Sequence, residues 1–212
     1  MRAKRLPREV RERQILDAAV TVFSQNGYHS ASMDEISEVA GISKPMIYAY
    51  LGSKEDLFAA CIHREATRML EAVVGGIEVG QPPDVQLWHG LRSFFGFVGE
   101  YRESWRVLHR QSLTQGGPFT AELMSMRQRA ISLVAAVLMQ TGSDEGVGAA
   151  ASESGEALAA ALVGAGESLA DWWLDHPEQS AGAIAATLMN LVWMGFGNLV
   201  DGRIWRPPAK PA

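Results

Sequence analysis

From Arg8 onward, apolar residues recur at three- and four-residue intervals, the pattern of α-helices that bury one face. Ile15, Ala18, Ala19, Val22 and Phe23 share such a face, and Gly27 follows as a residue that tolerates positive φ. Ser32-Met33-Asp34-Glu35 has the form of a capping box: the serine oxygen accepts from the amide three residues on, and Glu35 reaches back. A short helix runs through Ile36, Val39 and Ala40 and stops at Gly41. Ser43 is placed to cap a third helix with Lys44-Pro45 in its first turn, where proline's missing N–H costs nothing. Gly52 ends that helix. Ser53-Lys54-Glu55-Asp56 opens a fourth, with its acids where the helix dipole favours them.

Two short helices joined by "AGIS" read as a helix-turn-helix, with Ile36, Val39, Ile42 and Ile47 spaced to pin one helix on the other. The motif alone is a weak signal; the amphipathic helix before it and the capped helix after it make this instance specific.

From about Asp84 the pattern continues as four or five more helices, broken at "QPPD" (81–84), "GGP" (116–118), "TGSDEG" (141–146) and "HPE" (176–178). No strand-like alternation of useful length and no internal repeat occurs. The predicted fold is all-α: an N-terminal three-helix module with the helix-turn-helix, followed by a C-terminal helical bundle. The expected division is a basic arm at 1–12, the helix-turn-helix domain at 13–60, the bundle at 61–206 and a disordered tail at 207–212.

Charge changes the picture at one end. The chain carries a formal net charge of −5, yet residues 1–13 hold six cations (Arg2, Lys4, Arg5, Arg8, Arg11, Arg13) against Glu9 and Glu12. A basic arm on an acidic body points to an anionic partner for that end alone, or to a solvated tail. Cys61 is the single cysteine, which excludes an internal disulfide framework and fits a reducing, cytoplasmic compartment. It follows two alanines in the fourth helix and reads as buried packing, with redox sensing as the alternative.

In a helix-turn-helix, the N-terminal residues of the second helix meet base edges in the major groove. Lys44 then stands where an ammonium reaches a phosphate or a guanine O6/N7, and Pro45 and Met46 offer apolar surface to a thymine methyl. Tyr48 and Tyr50 lie toward the far end, their hydroxyls available to phosphate oxygens; half-buried packing is the alternative for each. Lys54, with the amides that open the fourth helix, makes a second phosphate clamp, and Ser32 a third. Ser43 completes the DNA-facing set.

These residues resemble a family. Residues 13–60, "RQILDAAVTVFSQNGYHSASMDEISEVAGISKPMIYAYLGSKEDLFAA", look like the DNA-binding domain of TetR-type regulators. The matching positions are Ile15, Ala18, Ala19, Phe23, Gly27, Tyr28, Ile36, Gly41, Ile47, Tyr48, Lys54 and Leu57. The family usually has histidine then phenylalanine where this chain has Tyr50 and Leu51, and alanine where Ser37 stands. The resemblance covers under a quarter of the chain. It implies an Ω-shaped all-α homodimer with an inducer pocket in the C-terminal bundle and double-stranded operator DNA released when ligand binds.

The C-terminal half has its own signals. Residues 180–200 contain no charge, a length that can span a bilayer. Thr187, Asn190, Asn198 and three glycines make the segment only moderately apolar, so a helix buried against its own subunit and a partner is the expected alternative. Leu158, Leu162, Ala165 and Leu169 form the facing stripe, and Ile184, Leu188 and Leu191 continue the interface into the last helix. Trp88, Phe94, Phe95, Tyr101, Trp105, His109, Phe119 and Trp172 are the candidate lining of an apolar ligand pocket; ordinary core packing is the competing reading.

Catalysis has little support. No G-x-S-x-G, G-x-x-x-x-G-K-[ST] or H-E-x-x-H motif occurs. The five histidines lack metal-ligand spacing, and neither metal nor cofactor is expected. The expected function is a DNA-binding regulator, most simply a repressor acting as a homodimer and released by a small, largely apolar inducer. An α-helical carrier or enzyme using the C-terminal cavity is the alternative.

Overall fold

The computed structural model describes residues 7–111, 118–140 and 148–200, and among them helices are present and strands are not. In chain order these are α1 (Arg8–Ser30), α2 (Met33–Ala40), α3 (Lys44–Leu51), α4 (Lys54–Gly76), α5 (Pro83–Glu100) and α6 (Arg102–Arg106), the last continued by a π-helical turn, Val107–Gln111. They are followed by α7 (Pro118–Gln140), α8 (Gly148–Asp175) and α9 (Ala181–Val200). The all-α expectation therefore holds. Two compact units form: Met1–Glu71 with Glu100–Met126, and Ala72–Gly99 with Arg127–Ala212.

The first unit is built on the predicted face of α1. Ile15, Ala19, Val22 and Phe23 are buried, as are Ile36 of α2, Ile47 of α3 and Leu57, Phe58, Cys61 and Ile62 of α4. Phe23 meets Phe58 edge-on with ring centroids 4.8 Å apart. Each fully buried Ile, Leu, Val or Phe among these contributes ~1.5–3 kcal/mol relative to exposure. Val39, expected among the pinning residues, is instead exposed. Burial pushes the Cys61 thiol well above its ordinary range, so the thiolate that redox chemistry needs is suppressed.

The turn between α2 and α3 follows from Gly41. Its φ of 63° and ψ of 30° are left-handed, and the Ile42 amide then donates back to Ser37 O at 3.1 Å, the longer bond of a Schellman motif. Ile42 is thereby driven into the core.

The caps correct the sequence reading in two places. Ser32 Oγ accepts from the Glu35 amide at 3.1 Å as expected, but the Glu35 carboxylate does not return the bond. It accepts from Asn26 Nδ2 at 2.7 and 2.8 Å. Ser43 stands at the start of α3 without a side-chain cap. Pro45 occupies the second helical position and has no N–H to give, and the Met46 amide bonds Ser43 O at 2.9 Å instead. The reciprocal box forms one helix later. The Asp56 amide donates to Ser53 Oγ at 3.1 Å and the Ser53 amide to Asp56 Oδ2 at 2.9 Å. Those bonds from Ser53 hold the Asp56 carboxyl below its usual range. A Cβ on Gly52 would come within 2.5 Å of Asp56 Oδ2, and Gly52 also has φ of 74°, so glycine is required there.

One ion-pair cluster lies inside this unit. Glu65 is fully buried and receives Arg64 Nε at 2.6 Å and Arg68 Nη1 at 3.0 Å. Arg64 Nη1 reaches on to Asp17 of α1 at 2.7 Å, and the Arg68 guanidinium lies 4.2 Å from the centre of the Tyr101 ring. Tyr101 itself, with φ of −118° and ψ of 56°, separates α5 from α6, two residues after Gly99.

In the second unit α8 packs on α9. Its core includes Phe95, Leu162, Ala170, Trp173, Ile184 and Leu188. A Cβ on Gly99 would lie 2.8 Å from Trp173 Cη2, so the bare backbone of α5 gives the indole its space, and Trp173 Nε1 donates to Gln179 O at 2.9 Å. Among the described residues, no helix is long and apolar enough to cross a membrane.

Candidate nucleic-acid interface

The recognition helix α3 is held from one side and open on the other. Ile47 is fully buried, while Pro45 is exposed and Met46 and Tyr48 keep 42% and 44% of their surface. Of the eight residues of α3, only Ile47 is buried. Ser43 is exposed at its start. Ser32 is exposed at the start of α2, where its oxygen accepts from the Glu35 amide and its hydroxyl proton can still be donated outward.

Both predicted lysines are engaged within the module. Lys44 Nζ lies 2.9 Å from Asp34 Oδ2, and that bond holds the ammonium proton more tightly than usual. Lys54 Nζ donates to His29 O at 3.2 Å and sits 4.7 Å above the Tyr28 ring. The Tyr28 hydroxyl in turn donates to Glu55 Oε1 at 2.8 Å. Burial, reinforced by this bond, pushes the Tyr28 phenol up to about 12. The side of α4 facing His29 is thus organised around a fixed cation. Of the amides at the start of α4, those of Ser53 and Asp56 are used by the reciprocal cap.

Tyr50 is half-buried and carries the Arg8 guanidinium 5.7 Å from its ring centre. Arg8 also donates to Glu12 Oε1 at 2.7 Å. The expected basic arm is therefore helical over residues 8–12, while residues 1–6 lie outside the described residues, as does the tail 207–212.

Two partners at this surface escape a reading of the sequence. Asp34, ten residues before Lys44, is one, and the carbonyl of His29 is the other. Opposite charges in the first turns of the two motif helices are the only available signal for the first. Nothing in the sequence indicates the second.

The aromatic candidates for a ligand pocket fall in both units. In the first, Trp105 is buried and stacks on His109 at 4.9 Å, and Tyr101 carries the Arg68 guanidinium. Phe119 is on α7, with its side chain outside the described residues. In the second, Trp88 and Phe94 are half-buried, and Phe94 meets the fully buried Phe95 at 5.0 Å. Trp172 is 43% exposed and stacks on His176 at 4.1 Å, while its neighbour Trp173 takes the core position near Phe95, 6.2 Å away.

The candidate dimer residues also divide. Leu162, Ile184 and Leu188 are buried within one chain, which leaves a second copy little of their surface; Leu158, Ala165 and Leu169 are half-buried. Leu191 is 70% exposed.

Comparison with known proteins decides the family. Residues 15–61 match the model for bacterial regulatory proteins of the tetR family, and residues 83–195 match the tetracyclin repressor-like C-terminal domain. The chain belongs to the TetR family. The HTH-type transcriptional activator FasR of Mycolicibacterium smegmatis is 27% identical over 200 residues, 93% of this chain and 88% of that protein. A TetR-like transcriptional regulator from Rhodococcus sp. RHA1 is 46% identical, with a TM-score of 0.79 over 91% of this chain and 99% of that one. FadR of Bacillus subtilis, solved in complex with stearoyl-CoA, shares the fold at 17% identity and a TM-score of 0.70, over 85% of this chain and 96% of its own. These families and relatives are transcriptional regulators and not enzymes. This TetR-family chain is accordingly a DNA-binding transcriptional regulator, and the enzyme alternative is set aside.

Proposed function

We propose that this TetR-family regulator is a repressor that binds a palindromic operator as a homodimer and leaves it when a small, largely apolar ligand occupies the C-terminal bundle. The observation that carries the reading is α3: Ile47 locks it into the module, while Pro45, Met46 and Tyr48 face outward. Ser43 and Lys44 meet the groove, and Ser32, Tyr48, Tyr50 and Lys54 anchor phosphates on either side. Leu191 and Trp172, large and exposed on α9 and α8, favour a second copy as partner. A long-chain acyl-CoA is the first ligand to test, because the same fold in B. subtilis FadR holds stearoyl-CoA.

Activation is the second reading, favoured by the activator FasR, which matches 93% of this chain. Run-off transcription from the promoter of the chain's own or a neighbouring gene separates the two. Repression predicts that added protein lowers transcript yield and that ligand restores it. A rise in transcript with protein supports the activator reading. No change at any protein concentration that occupies the DNA rejects both.

A further inference from the structure

The DNA-reading part of this chain is poor in cations. Between Ser32 and Ala60 only Lys44 and Lys54 are positive, against Asp34, Glu35, Glu38, Glu55 and Asp56. Three of these acids are committed to the module: Glu35 to Asn26, Glu55 to Tyr28 and Asp56 to the α4 cap. Asp34 differs. Its side chain is 77% exposed, and its Oδ2 lies 2.9 Å from the Nζ of Lys44, the first residue of the recognition helix.

An ammonium has three N–H donors. With one directed at Asp34, Lys44 keeps two for DNA. A guanine O6/N7 edge is neutral and can share the ammonium with the carboxylate. A phosphate oxygen cannot do so without setting a second anion beside Asp34, and like charges brought close repel. We infer that Asp34 is a specificity-determining residue that acts through Lys44. It keeps the ammonium from serving as a general phosphate contact and reserves it for a base edge supplied by the right sequence. This rests on the reading that α3 enters the major groove. It assigns affinity chiefly to the phosphate anchors elsewhere and discrimination to the Asp34–Lys44 pair.

The test titrates the full chain and its Asp34→Asn, Asp34→Ser, Asp34→Glu, Lys44→Ala and Asp34→Asn/Lys44→Ala variants against operator and scrambled duplexes at several salt concentrations. Asp34→Asn and Asp34→Ser should bind scrambled DNA more tightly. The slope of log K against log[salt] should steepen by about 0.9 per protomer, a gain of about eightfold over a tenfold dilution of salt. Operator affinity should rise less, so the operator-to-scrambled ratio falls. Asp34→Glu should restore the parent ratio, and Asp34→Asn should change nothing once Lys44 is alanine. A purely structural role at the start of α2 predicts the opposite sign, weaker binding to both duplexes, and that outcome overturns the inference. So does an unchanged slope, or a gain that persists without Lys44. A parent that binds DNA while the Asp34 variants are silent overturns this inference alone. A parent with no preference for operator DNA overturns the reading of α3, and this inference with it.

Discussion

Arg64→Ala should lower the unfolding free energy of the N-terminal unit by up to about 3 kcal/mol, the low end of the range for breaking a buried ion pair from one side, because Arg68 still pairs with Glu65. Glu65 has no exposure, and Arg64 Nε at 2.6 Å is the shorter of its two arginine contacts. Removing Arg64 leaves a buried carboxylate with Arg68 alone. The outer contact of Arg64 with Asp17, whose side chain is 62% exposed, adds little. Replacing the inner pair with apolar groups, Arg64→Met with Glu65→Leu, should recover most of the loss, because the desolvation cost disappears with the charges. Urea denaturation followed by circular dichroism measures both. A loss below about 1 kcal/mol for Arg64→Ala would place the cluster among surface pairs.

Lys54→Ala should weaken binding to operator and scrambled DNA alike, by about tenfold or more, the size of a lost charge-assisted hydrogen bond. The salt slope should become shallower by about 0.9 per protomer. Phosphate contacts position a protein without reading sequence, so the ratio between the two DNAs should stay put. The geometry supports a strong effect: the ammonium is fixed between His29 O and the Tyr28 ring, and the neighbouring cap uses the amides of Ser53 and Asp56. Tyr48→Phe removes a neutral hydroxyl and should weaken binding with the slope nearly unchanged. Titration of both variants at several salt concentrations decides the matter. If Lys54→Ala binds both DNAs like the parent, α4 does not clamp phosphate.

Much of this surface is legible in the sequence, because its signals are local. The 3-4 spacing of Ile15, Ala19, Val22 and Phe23 marks a buried face, and Gly41 marks a left-handed turn that only a few residue types accept. Failures occur where two local preferences compete or where a partner is distant. Ser43 is a good capping residue, but Pro45 removes the amide it would cap. Glu35 sits where a capping box wants it, but Asn26, nine residues earlier, binds it instead. Trp172 and Trp173 are adjacent in an apolar helix, and spacing alone does not say which one faces the core. The charge-free α9 raises the same difficulty on a larger scale. Its composition calls for burial on more than one side, yet only the folded chain separates Ile184 and Leu188, covered within the subunit, from the exposed Leu191. The Asp34–Lys44 pair depends on the turn bringing two helix starts together, a distance that no pattern of types records.

Footprinting the purified full chain on the DNA upstream of its own gene is the most direct test of operator reading by a dimer. The expected result is two protected half-sites of matching, inverted sequence, one helical turn of ~34–36 Å or a multiple apart, and two protomers for each pair. Protection of a single unrepeated half-site by one protomer, or no protection anywhere on that DNA, would contradict it.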